Sequence, residues 1–91
     1  MVELITISNA AGNWYLNKVV INPKHIAVVA ESREHNRLLK EGKIDLGFNQ
    51  QIEFSKIQMA ITSGFDELIA IGSPASIIEK LGRNSKQLLK G

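Results

Sequence analysis

Residues 56–81 constrain the fold of this chain more than any other stretch. They run Lys56-Ile-Gln-Met-Ala-Ile-Thr-Ser63, then Gly64-Phe-Asp-Glu, then Leu68-Ile-Ala-Ile71, then Gly72-Ser-Pro-Ala-Ser-Ile-Ile-Glu-Lys-Leu81. The first and third pieces are short and rich in isoleucine, as strands require. Ser63-Gly64 between them is a hairpin signal. Ser73 is placed to N-cap a helix, and Pro74 to occupy its first turn, where a missing N–H costs nothing. Ile77, Ile78 and Leu81 give that helix a stripe to bury, and Gly82 is expected to end it.

The upstream chain continues the strand pattern. Residues 2–8 read as a strand, and residues 9–13 as a turn with Gly12 and Asn13 at positive φ. Trp14 to Ile21 reads as a second strand, with Trp14, Leu16 and Lys18 on one face and Tyr15, Asn17, Val19 and Ile21 on the other. Asn22-Pro23 breaks the ladder. His25 to Ala30 reads as a third strand, apolar enough to lie centrally. Between Glu31 and Lys43 the charges predict a peripheral helix of about two turns, with Ser32 as N-cap and Gly42 at C′. Residues 44–48 read as a short edge strand. From Ile52 the alternation resumes but changes phase between Phe54 and Ile57, which predicts a bulge near Ser55. The expected fold is α+β: a small, mostly antiparallel sheet of about five strands, with a peripheral mid-chain helix and a C-terminal helix.

With 91 residues the chain is expected to form a single domain, residues 1–91, with 83–91 as a basic tail. A hydrophobic share of 44% with 22% charged residues is globular rather than disordered. There is no cysteine, hence no disulfide or thiolate metal site. The opening Met1-Val-Glu-Leu-Ile-Thr6 lacks the basic start of a signal peptide, and a cytoplasmic location with no membrane contact is the expectation.

No catalytic pattern emerges. His25 and His35 are the two histidines, and they fall on different elements, too far from a recognisable ligand spacing for zinc. Ser73 and Ser76 are explained by capping, and neither lies in Gly-x-Ser-x-Gly. Asp66 and Glu67 are adjacent on a strand and so point to opposite faces, unlike a working carboxylate pair. Gly42-Lys43 lacks the rest of a phosphate loop. The chain is therefore expected not to be an enzyme and to need no metal or cofactor. The net charge of +2 is mild, but Lys80, Arg83, Lys86 and Lys90 gather at the C-terminus with no acid after Glu79. Such a cluster complements a helix dipole or contacts phosphates.

Several of these segments carry a resemblance. Leu4-Ile5-x-Ile7, His25 to Val29, Ser32…Arg37…Gly42, Ile44-Asp45, Lys56, Ser63-Gly64, Leu68 to Ile71, Pro74, Lys80 and Leu81 follow the order of a known family. In them the chain resembles the RemA family of small bacterial biofilm-matrix regulators. Ile21-Asn22-Pro23-x-x-Ile26 and the final strand and helix are similar, over a shorter span, to the flagellar FlbD family. The first resemblance implies a homo-oligomer that binds double-stranded DNA through repeated basic loops. Lys56 and, from the C-terminal basic cluster, Lys80, Arg83, Lys86 and Lys90 are the phosphate-contacting candidates. The family's loop is arginine-rich, whereas residues 47–55 here contain no arginine and include Glu53. A DNA-binding transcriptional or nucleoid-type regulator is the first expectation. The alternative is a protein- or ligand-binding adaptor of bacterial or phage origin on the same scaffold, using Trp14, Asn49, Gln50 and Gln51.

Overall fold

The computed structural model describes the backbone of residues 1–47, 52–61 and 64–90, and their side chains except those of residues 61, 64, 65 and 83–90. Five strands form one antiparallel sheet: β1 (Val2–Ala10), β2 (Asn13–Ile21), β3 (Ile26–Glu31), β4 (Phe54–Ile61) and β5 (Gly64–Ile71). Their order is β2-β1-β5-β4-β3, so β5 is central and β2 and β3 are the edges. Helix α1 (Arg33–Lys40) follows β3, and α2 (Pro74–Lys90) follows β5. This is the expected small α+β fold.

Both faces of the sheet are used. On one, Val2 and Leu4 of β1, Ile21 of β2, Ile57 and Met59 of β4 and Ala70 of β5 pack with Ile77 of α2. On the other, Ile7 and Phe54 pack with Leu39 of α1 and Ile44 just beyond it. The two cores explain the phase change read between Phe54 and Ile57. β4 keeps one register with β5 from Phe54 to Ile61, with no bulge at Ser55. Phe54 faces the α1 core, and Ile57 and Met59 face the α2 core. The bulge lies instead in β3, where Ala27 is the extra residue between Ile26 and Val28. It lets Ile26 and Val29, three apart, both turn toward the α2 core.

Local chemistry sets the turns. β1 and β2 pair in register from Val2 opposite Ile21 to Ala10 opposite Asn13. The two residues between, Ala11 and Gly12, both have positive φ, at 53° and 82°. This is the right-twisting two-residue hairpin geometry, placed one residue earlier than Gly12-Asn13. α1 ends in a Schellman motif: Gly42 N–H donates to the Leu39 carbonyl, Lys43 N–H to the Leu38 carbonyl, and Gly42 has φ of 74°. At the start of α2, Ser76 N–H donates to Ser73 Oγ at 3.2 Å, so Ser73 is the cap.

Three further readings are corrected, for β3, for residues 44–47 and for Gly82, and the peripheral helix is refined. β3 is an edge strand, not a central one: Ile26 and Val29 are covered from one face by the α2 core, and no further strand flanks it. Residues 44–47 form no strand: Gly47 N–H donates to Asp45 Oδ1, Gly47 takes φ of 77°, and the bent chain drops Ile44 into the second core. α1 lies over part of one face, as a peripheral helix does, yet its buried Leu39 closes that second core. Gly82 does not end α2. The helix runs to Lys90, because Gly82 does not take the left-handed turn of a C′ glycine and no proline follows.

Candidate interaction surface

β2 is an edge strand with little cover. It is held by β1 on one side, and along its nine residues Ile21 alone is buried, with Trp14 and Val19 half-buried. Leu16 and Val20 stand 45% and 62% exposed on the α1 face, and Tyr15 is 49% exposed on the other. A strand with apolar side chains open on both faces buries less than its composition allows. α1 and the loop after it cover the middle strands at Ile7, Phe54, Ile69 and Ile71, and stop short of Leu16, Lys18 and Val20. Lys18 Nζ lies 3.9 Å from Glu3 Oε1 across the β1–β2 ladder, so the cation on this strip is locally balanced.

The tip of the strand is tied down by aromatic contacts. Trp14 meets the His35 ring edge-on, with centroids 5.9 Å apart, and His35 in turn meets Phe54 at 6.3 Å. Ser32 fixes that ring from below, its Oγ 2.7 Å from Nδ1. Ser32 is itself buried, so this serine–histidine pair orients the ring and offers no nucleophile to a substrate. Burial pushes the His35 pKa below its ordinary value of 6.5; Glu34 and Glu67 oppose that shift and Lys56 adds to it. Asn36, on the same helix, accepts the Phe54 N–H at 2.7 Å. His35 thus wedges between the β2 tip and the second core. The sequence reading placed it on a surface helix. The i, i+3 spacing of Ser32 and His35 was the available signal.

The basic candidates separate. Lys56 shares the parity of Phe54 on β4 and lies half-buried on the α1 face, near His35. Lys80 is exposed on α2, which packs on the opposite face. One subunit therefore does not present both to one flat surface. Arg83, Lys86 and Lys90 lie on α2, and their side chains are outside the described residues, as are Asn49, Gln50 and Gln51 entirely. Trp14 is half-buried against His35 rather than free at a loop tip. No group of three or more His, Cys, Asp or Glu suited to a metal is present among the described residues. Nor is any helix among them long and apolar enough to cross a membrane.

No family model, no curated protein and no solved structure matches this chain.

Proposed function

We propose that this chain is a non-enzymatic binding protein, cytoplasmic and homo-oligomeric, that engages a protein partner through β2. The observation that carries this reading is the uncovered strip Leu16, Lys18 and Val20, with Tyr15 behind it. Exposed apolar side chains around a balanced ion pair suit a protein surface. They suit a polyanion poorly, because Glu3 beside Lys18 and Glu67 near His35 and Lys56 oppose phosphate.

A DNA-binding regulator on the RemA-like scaffold is the second reading. α2 is one continuous helix, and at 3.6 residues per turn positions 80, 83, 86 and 90 fall within roughly one third of its circumference. One basic helix is a weak phosphate contact by itself. Repeated around an oligomer, it adds up through effective concentration.

Light scattering of the purified protein, alone and with a short DNA duplex at low and high salt, tests both. The first reading expects an oligomer whose mass does not change with duplex. The second expects a mass gain at low salt that is lost at high salt. A monomer at every concentration, with no duplex bound, overturns both.

A further inference from the structure

We propose that the free edge of β2 pairs antiparallel with β2 of a second copy, about a two-fold axis through Asn17, making one continuous ten-stranded sheet from two five-stranded ones. This rests on the self-association in the first reading above, and names its interface.

The argument starts from which backbone groups are unused. In an antiparallel ladder alternate residues direct N–H and C=O to the same neighbour. Asn17 is turned toward β1, because its carbonyl accepts from Thr6 Oγ1 at 3.3 Å and Thr6 is its ladder partner. By alternation, Trp14, Leu16, Lys18 and Val20 direct their backbone groups outward, where the sheet ends. Natural edges are shielded by bulges, prolines, short length or inward charges. β2 has no bulge over nine paired residues and no proline, and its one charged residue is already paired with Glu3.

A second copy fits this edge better than a generic strand does. With the axis at Asn17, Trp14 falls opposite Val20 of the second copy, and Leu16 opposite its Lys18. All four outward residues then meet outward residues, in about eight backbone hydrogen bonds, two for each of four pairs. A shift of the axis by one residue in either direction leaves outward groups at one end unmatched. On the α1 face the pairing sets an aromatic against a β-branched side chain and a leucine against a lysine stem, both favourable cross-strand neighbours. The two exposed strips join at the centre of the enlarged sheet, and the surface offered to a partner doubles.

The register makes a covalent prediction. Asn17 faces its own copy in a non-hydrogen-bonded pair, where the Cα atoms of such pairs lie about 4.5 Å apart, within disulfide range. The chain has no cysteine, so Asn17→Cys introduces a single thiol. Mild oxidation of this variant is expected to give a covalent dimer in high yield, whereas Val19→Cys, four residues from its own copy across the axis, gives little. Leu16→Lys sets like charges opposite one another twice by symmetry and is expected to weaken the dimer about tenfold, while Leu16→Glu, facing Lys18 of the second copy, holds or tightens it. An oligomer by light scattering in which Asn17→Cys does not cross-link, or in which Leu16→Lys and Leu16→Glu weaken association equally, overturns this interface and leaves self-association standing. A protein that stays monomeric overturns both.

Discussion

The two edges of the sheet are built in opposite ways. β3 is six residues long, enters from a single 3-10 turn at Pro23–His25, carries the Ala27 bulge, and leads directly into α1. Its Ile26 and Val29 pack into the α2 core. β2 is nine residues long, unbroken in register and open on both faces for most of its length. Each device at β3 is one that keeps an edge from pairing with another chain. At β2 none of them is present. β3 leaves Val28 46% exposed, yet its bulge and short length interrupt its free backbone edge, whereas β2 stays straight and apolar, and the proposed contact surface rests on that difference. The difference also separates stability from interaction: Ile26 and Val29 of β3 pack into the α2 core, whereas Leu16, Lys18 and Val20 of β2 stand outside both cores.

Phe54→Ala should break the shielded side most severely. Phe54 is fully buried, its N–H bonds Asn36, and its carbonyl accepts the Ser32 N–H, so it links β4 to α1. The expected loss is about 3–5 kcal/mol, read by urea denaturation. A cost below about 1 kcal/mol would mean the second core is dispensable. Deleting Ala27 is the next largest test. With the extra residue gone, Ile26, Val28 and Val29 stay opposite Met59, Gln58 and Ile57 in an unbroken ladder. Ile26 and Val29 still face the α2 core, and a change of no more than about 1 kcal/mol is expected in the same assay. The variant should also self-associate more readily, since a straightened β3 resembles β2.

His35 sharpens the comparison through pH. Burial lowers its folded pKa relative to the unfolded 6.5, so the folded state takes up a proton less readily than the unfolded chain. Its contribution is complete above pH 6.5 and is lost as pH falls from there through the folded pKa. The stability difference between wild type and His35→Asn should therefore be flat from pH 7 to 8 and shrink below 6.5. A difference that does not change with pH would contradict a desolvated ring. The smallest effect is expected on β2 itself. Leu16→Thr with Val20→Thr keeps strand propensity and removes exposed apolar surface, so stability should change by no more than about 0.5 kcal/mol, while the mass by light scattering falls.

Much of the fold was legible because it rests on local rules. The β4–β5 pairing, the Ser73-Pro74 helix start, the Gly42 stop and the parity of Trp14, Leu16 and Lys18 depend on alternation and capping. The Ser63 part of the Ser63-Gly64 turn lies outside the described residues, and Gly64 already belongs to β5. What was not legible depends on tertiary partners. An apolar hexapeptide such as 26–31 reads alike whether strands flank it or a helix covers it. The phase change at Phe54 and Ile57 was visible, but a sheet buried on both faces produces the same text as a bulge. Asp45 and Gly47 carried the bend that replaced the strand read at 44–48. His35 looked like a charged-helix residue because Trp14 and Phe54, its ring neighbours, lie far from it in sequence. Exposure on β2 was hidden for the same reason: nothing in Leu16 or Val20 says that α1 stops short of them.

Backbone amide hydrogen exchange along β2, followed by NMR from dilute to concentrated protein, tests the open edge most directly. The amides of Tyr15, Asn17 and Val19 bond β1 and should be protected throughout. Those of Trp14, Leu16, Lys18 and Val20 should exchange rapidly in dilute protein and become protected as the oligomer forms. If those four stay fast at concentrations where light scattering shows an oligomer, β2 is not where this protein meets its own copy.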